Sequence, residues 1–466
     1  MQLSLRIRLA CFQALAVLFV GSRAPADEVP VKSLALSPSP APVPALRHRL
    51  LPLEAELNPG DAAPIYLRLN AENSPEGLKI LAEKPHALLA LPFDQFPTTE
   101  ARKLVDQWRV RLAQIEYGAH RQTCNWNYTI PEEREHVIDI LLPDAQSLRN
   151  WARLVALKAR VEIAEGKHDE ALRTIQTGLA LSRHLGEGPF LINTLVGIAS
   201  ASMMLDRIEE LVERPGAPNL YWTLTALPSP LIPIRRAVTY EYKMCEWLLP
   251  EMTDLDRPRT GAEWTARLAR FHGRILKTVA AYQIEDDATP KELDKFREWV
   301  LPESRDDLKS KLGKLDGLHD DQMILMFYGM RYRDLYDEVY KATYLPIHEA
   351  QKVYTQGKSQ LRAVKQGPLR LFSSLIANVE TGHSSEAIAD RRIAALRVVE
   401  ALRLHGAVAG RLPKSLDEVD VVPLPNDPIT GRKFDYRQTA EASILFSPPP
   451  NGIAKLGLTY RINLRK

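Results

Sequence analysis

The chain has 466 residues, 45% hydrophobic and 26% charged, enough apolar material for a sizeable core, which excludes a wholly disordered chain. Its formal net charge of +3 comes from Arg6, Arg8 and Arg23, so without the first 26 residues its acids and bases balance. That balance excludes a dedicated nucleic-acid binder, which needs a basic excess to displace counterions from phosphates.

At the N-terminus, Arg6 and Arg8 precede an uncharged run from Leu9 to Gly21, and Ala24-Pro25-Ala26 supplies small residues before Asp27. This pattern predicts a signal peptide over 1–26, cleaved between Ala26 and Asp27, and an exported chain that is periplasmic or secreted. As a helix the run rises about 20 Å, short of the roughly 30 Å hydrocarbon core, so no stable transmembrane span is expected after cleavage. Residues 27–45 contain Pro30, Pro38, Pro40, Pro42 and Pro44 and read as a Pro-rich linker in extended polyproline conformers. Helical periodicity then dominates 46–383. Past the cleavage point the cysteines are Cys124 and Cys245, which either pair as a disulfide or stay two separate buried thiols.

Over 147–185, Leu154, Leu157 and Val161 recur at helical spacing before Gly166, and Leu172, Ile175 and Leu179 recur after it. The spacing predicts an αα-hairpin. Its turn, Ala164-Glu165-Gly166-Lys167-His168-Asp169-Glu170-Ala171-Leu172, resembles that of a tetratricopeptide repeat, with His168 in place of the usual aromatic residue and no second copy at the repeat period. The resemblance implies helix pairing and, at family level, partner binding. The uncharged stretch Gly188–Leu205 carries Asn193, Thr194, Ser200 and Ser202, which suits a buried core helix better than a membrane span. Further helices are expected near 230–249, 261–282, 290–300, 304–313, 318–329 and 330–364, with no strand between them.

Tyr328, Tyr332, Tyr336, Tyr340 and Tyr344 recur every fourth residue. Each step of four advances about 40° around a helix, so the row spirals across its surface and the ends, Tyr328 and Tyr344, are expected to be the most exposed. The row is either a core-facing stripe or a partner-binding groove that contacts a peptide or a sugar.

Residues 384–466 read as a helix followed by a small antiparallel tail, with Phe434/Tyr436, Ile444/Phe446 and Leu458/Tyr460/Ile462 alternating as half-buried strands. The run from the helix through Leu412-Pro413-Lys414-Ser415-Leu416 and Asp427-Pro428-Ile429-Thr430-Gly431 to Phe434-Asp435-Tyr436 is similar to the C-terminal region of type II secretion pseudopilins. The acids with which such tails bind calcium do not follow Ser447, so no calcium ligand is carried over. Taken together, signal peptide, Pro-rich segment, helical middle and tail resemble a family of large uncharacterised exported bacterial proteins. The fold class is therefore mainly α: an irregular helical bundle or array with a small antiparallel β tail.

Catalytic patterns are sparse. Glu133-Arg134-Glu135-His136 and Glu165-Gly166-Lys167-His168 fit Glu-x-x-His, yet the second straddles a turn, and no metal site is assigned. Gly382-His383-Ser384-Ser385-Glu386 has Glu386 where a nucleophile elbow needs glycine and reads as an N-cap through Ser384 or Ser385. No catalytic residue and no cofactor is assigned. The leading expectation is an exported helical binding or scaffold protein for a protein or envelope component. The alternative is an exported hydrolase acting on a cell-envelope polymer through carboxylates in a helical cleft.

Overall fold

The computed structural model describes residues 28–127, 137–280, 289–363, 369 and 379–465. Ala24, Ala26 and Asp27, with the whole signal segment, lie outside the described residues, as does Glu133-Arg134-Glu135-His136. Among the described residues there are fourteen α-helices and six strands, a mainly α fold with a small sheet at the C-terminus. Compactness divides the chain into two units that interleave in sequence. An inserted unit contains 238–381, and a discontinuous unit contains 28–127, 139–237 and 382–465. The helix and tail at 384–466 thus share a unit with the hairpin region, where the sequence places them apart.

In the discontinuous unit, β1 (Val31–Leu36) falls inside the segment read as a linker. It pairs in parallel with β6 (Leu458–Leu464), which pairs antiparallel with β5 (Ser443–Ser447), and β5 pairs antiparallel with β4 (Asp435–Gln438). The C-terminal sheet is antiparallel as expected, plus one parallel edge strand from the far end of the chain. Leu34 and Leu36 of β1 are buried on its alternating inward face. Beyond the strand, the Arg403 guanidinium donates to the carbonyls of Ser37 (3.0 Å), Ala217 (2.8 Å) and Pro218 (3.3 Å), and Ser39 N–H donates to Arg403 O at 3.2 Å. Proline removes donors and leaves carbonyls, and here a buried arginine satisfies one of them, so the segment is fixed instead of solvated.

A second, two-stranded sheet, β2 (Asn58–Asp61) with β3 (Arg121–Thr123), was not expected from the pattern. Helices α1 (Ala63–Ala71), α2 (Pro75–Leu89), α3 (Thr98–Gln107) and α4 (Arg109–Ala119) lie between these strands in sequence. The expected hairpin is α5 (Val137–Ala164) and α6 (His168–Gly186), turned at Gly166 with φ +73°. After it comes α7 (Leu191–Val212), long and apolar enough to cross a membrane but with 78% of its apolar window buried, as a core helix should be.

Helices α6 and α7 approach closely because glycine leaves room. A Cβ on Gly197 would lie 2.6 Å from the Ser182 carbonyl oxygen and 2.9 Å from Gly186 N, and neither backbone atom can rotate away. Gly197→Ala is therefore expected to force the helices apart at a cost of about 1–3 kcal/mol, read as a lower urea midpoint. At Gly178 a Cβ would instead strike Met204 Sδ, the flexible part of a side chain, so Gly178→Ala should cost less.

Short helix α8 (Tyr221–Thr225) follows, and α9 (Arg235–Leu248) comes next in sequence. The inserted unit is built from α10 (Gly261–Ala280), α11 (Pro290–Leu312), α12 (Asp320–Tyr340) and α13 (Ile347–Ala363), with the later part of α9. Two expected boundaries move. Helix α11 runs through Pro302 instead of splitting near 300–304, and α12 runs past 329 to Tyr340. The break comes at Leu345, φ −100° and ψ 152°, because the following Pro346 disfavours helical geometry at the residue before it. The last long helix, α14 (Val379–Ala409), returns to the discontinuous unit.

Candidate functional site

Helix α12 starts at a cap in which His319 Nδ1 accepts from Asp321 N–H at 3.2 Å, and it carries the tyrosine row along its length. Tyr328 is fully buried, its ring 5.0 Å from Phe271 of α10 and 6.1 Å from Phe296 of α11. Tyr332 stacks on Tyr242 of α9 at 6.0 Å, with its hydroxyl against the Cys245 thiol. The Tyr336 hydroxyl donates to Val238 O. Tyr340 shares a hydrogen bond with Thr239 Oγ1 at 3.0 Å, and Tyr344 donates to Tyr340 Oη at 3.1 Å. From Tyr332 to Tyr344 successive rings lie 5.8, 6.0 and 5.3 Å apart, tilted and then edge-on to one another in a continuous row of ring contacts, called the tyrosine stack below.

The exposure of this row corrects one expectation. Tyr344 is 59% exposed, but Tyr328, at the opposite end, is buried. The 40° drift is real, but α10 and α11 enclose the N-terminal half of α12 and α9 lies against its middle. As the row turns it passes from one neighbour to the next and meets solvent only at its C-terminal end, where Tyr344 sits in a single 3-10 turn.

Cys124 of the discontinuous unit and Cys245 of the inserted unit are both buried free thiols. Burial pushes the Cys245 thiol up to about 12, and burial aided by Glu187 pushes Cys124 further, so neither supplies a thiolate nucleophile near neutral pH.

The carboxylates that come closest to the hydrolase pattern are Glu386 and Asp390, one turn apart on α14. Helix α14 already runs at Val379, so Ser384 and Ser385 lie inside it and do not cap it. Between α8 and α9, Pro230 and Pro233 deny the chain any regular ladder, and its remaining N–H groups need acceptors. Ile234 N–H donates to Glu386 at 2.7 Å, Leu231 N–H to Asp390 at 3.1 Å, and Ser229 Oγ–H to Asp390 at 2.7 Å. Burial raises both carboxyls, Glu386 to about 7, although the Ile234 N–H acts against it. The pair acts as loop clamps.

One cluster had no sequence signal at all. Asp61, Tyr66, Cys124, His184 and Glu187 come from four separate segments and meet in the discontinuous unit. The Tyr66 hydroxyl and His184 Nδ1 share a hydrogen bond at 2.9 Å, and the imidazole also bonds the Arg121 backbone. Trp126 Nε1–H donates to His184 O at 2.8 Å, while Asp61 accepts from Ala63 N–H at 3.0 Å and Asn125 N–H at 2.9 Å. These bonds tie α1, α6 and the chain after β3 together.

Among the described residues no three His, Cys, Asp or Glu side chains are placed to hold a metal. Glu165 of the second Glu-x-x-His is instead paired with Arg102 at 2.6 Å and Lys167 at 2.8 Å.

Burial depresses His184 and His383 to about 4 and raises Glu386 to about 7. The histidines contribute stability that is present above their unfolded pKa near 6.5 and is lost as pH falls toward 4. Glu386 has the opposite sign, since its folded form takes up a proton between about pH 7 and 4.5 and gains stability as pH falls. Glu386→Gln should therefore steepen the loss of stability on acidification from pH 7 to 5, and His184→Gln should flatten it below pH 6.5. Urea midpoints across this range check both signs.

Comparison with protein-family models, with curated proteins and with solved structures finds no match to this chain.

Proposed function

We propose that this chain is an exported helical binding protein that recognises a protein or envelope component through the exposed end of the tyrosine stack. The observation that carries this reading is Tyr344, 59% exposed while its ring is braced edge-on by Tyr340 and its hydroxyl is bonded to the same residue. An aromatic side chain already held in place loses little entropy on binding, and anchors of this kind dominate interface energetics. The resemblance of the α5–α6 turn to a tetratricopeptide repeat supports a partner-binding role from a separate part of the chain.

Export and recognition have separate tests. N-terminal sequencing of protein from the periplasmic or culture fraction should begin at Asp27, and an intact Met1 would sink the export half. For recognition, mature protein with a photo-crosslinking phenylalanine at position 344 should label one envelope component, and Tyr340→Ala should abolish the label in protein that still melts as a folded chain. Labelling that survives Tyr340→Ala would remove the stack as the recognition point.

The second reading, a hydrolase of a cell-envelope polymer, draws on Glu386 and Asp390, two carboxyls raised by burial on one helix face. It requires release of cell-wall fragments that Glu386→Gln and Asp390→Asn both abolish.

A further inference from the structure

The inserted unit holds a cleft where the loop before α10 meets the loop before α12. Its volume is about 510 Å³, inside the range of roughly 300–1,000 Å³ that small-molecule sites occupy. Asp256, Arg257, Arg259 and Trp264 line it from the first loop and α10, and His319 lines it from the second loop.

The first loop is wound around one guanidinium. Arg259 Nη1–H donates to Asp254 O at 2.6 Å and to Arg257 O at 3.2 Å, and its Cζ lies 4.8 Å from the centroid of the buried Trp264 ring. Gln322 of α12 donates to Leu255 O at 2.9 Å, which ties this loop to the opposite wall. With one nitrogen engaged and the ring beneath it, Arg259 keeps its Nε and Nη2 donors, neither of which has a partner among the described residues. On the other wall His319 Nδ1 accepts from Asp321 N–H at 3.2 Å, so the proton of the neutral ring is on Nε2. That nitrogen lies 3.1 Å from where a Cβ on Gly261 would stand, and glycine at the start of α10 lets the ring edge come this close.

The two helix ends are already satisfied. Glu263 accepts from Thr260 N–H at 2.6 Å and Thr260 Oγ1–H at 2.8 Å, and Gln322 accepts from His319 N–H at 3.4 Å. The ligand donors are therefore side chains. A guanidinium fork held flat on an indole suits the two oxygens of a carboxylate, and an imidazole N–H supplies a third donor. Arg257 adds a second cation whose carboxylate partner, Asp254, is 3.8 Å away with both groups exposed. Asp256 has the opposite effect: in the same cleft it repels a dianion and accepts from hydroxyl groups.

We propose that this cleft binds a sugar acid of the uronate class, with its carboxylate on Arg259 and His319 and its ring hydroxyls toward Asp256. A cleft of this size leaves room for a ring beside the carboxylate, and one acid among the cations matches a single negative charge. The site neither uses nor requires the tyrosine stack.

The test titrates the full mature protein with D-glucuronate by calorimetry. Glucuronate should bind in a saturable way, while D-glucose, the same ring with an alcohol in place of the carboxylate, should give no heat. Arg259→Gln should weaken glucuronate about tenfold or more through loss of the charge-assisted fork. Because Arg259 also holds its own loop, two variants without that role accompany it. His319→Asn keeps a side-chain acceptor at the cap of α12 but removes the Nε2 donor, and Asp256→Ala removes an exposed carboxylate with no partner among the described residues. Each should weaken glucuronate severalfold and leave the melting temperature unchanged. No saturable heat with glucuronate, equal binding of glucose, or undiminished binding by His319→Asn and Asp256→Ala would overturn the proposal. So would displacement of glucuronate by equal concentrations of L-glutamate or inorganic phosphate, which would make the cleft a zwitterion site or a general anion site.

Discussion

Tyr332→Ala is expected to lower stability by about 3–5 kcal/mol, while Tyr344→Ala, three rungs along the same stack, leaves it nearly unchanged. Tyr332 is 2% exposed and fills the space between α12 and α9, so truncation loses the transfer energy of the ring and leaves a cavity walled by Tyr242, Tyr336 and Cys245. Tyr242 and Tyr336 are large aromatics already in mutual contact and cannot collapse far into the gap. Tyr328→Ala should cost a similar amount because its fully buried ring packs against both Phe271 and Phe296. At roughly 2–4 °C per kcal/mol for a unit of this size, the transition should fall by about 10 °C. Tyr336→Phe isolates the hydroxyl: it leaves the Val238 carbonyl without that donor and should cost about 1 kcal/mol. Melting curves for the series decide whether the stack is graded from core to surface. Equal losses at Tyr332 and Tyr344 would contradict it.

A second large effect is expected where the sheet meets the helices. Glu209 of α7 is buried and takes Arg392 of α14 at 2.8 Å, Lys32 of β1, and the hydroxyl of Tyr460 of β6 at 2.5 Å. Four elements therefore converge on one carboxylate. Burial alone would raise its pKa, but Arg392 and Lys32 outweigh burial and hold it well below the usual carboxylate range. Arg392→Met removes the main counter-charge and leaves the buried carboxylate with the half-exposed Lys32 alone, a loss of about 3–5 kcal/mol. Adding Glu209→Leu should recover much of that loss, because it removes the buried carboxylate that Lys32 alone does not offset. Urea unfolding of the two single variants and the double variant closes the cycle. The wild-type contribution is present above the unfolded carboxyl pKa and is lost as pH falls below it, whereas the double variant should show no such loss at this site. A double variant whose loss equals the sum of the two single losses would show that the charges are not coupled.

What the sequence made legible is what depends on near neighbours. The α5–α6 hairpin follows from apolar spacing and one glycine, and β4, β5 and β6 follow from alternation between turn residues. Strand β1 shows alternation at Leu34 and Leu36, but five prolines nearby outweighed it, and the partners that fix it, β6 and Arg403, come from the far end of the chain. Strands β2 and β3 are only four and three residues long, too short for a period to register. The tyrosine row was visible as a spacing, yet its exposure depended on where α9, α10 and α11 lie, which no property of the row encodes. For the Tyr66–His184 cluster and the cleft between the loops before α10 and α12 the informative feature is which partners surround each group, and a single sequence does not contain it.

The parallel pairing of β1 with β6 sets an order of events. Val31 meets Thr459, so the contact closes a loop of more than four hundred residues. In a flexible chain that closure costs about 5 kcal/mol beyond the constant for any loop. A pairing of six residues does not offset this alone, so β1 docks only after the intervening helices have drawn the two strands together. Until then Leu34 and Leu36, with the unsatisfied edge of β6, stay open to solvent and to other chains. Because β6 is made more than four hundred residues after β1, a nascent chain carries β1 unpaired throughout that stretch of synthesis. Its vulnerability to aggregation and proteolysis is therefore concentrated at the one strand that was read as a linker.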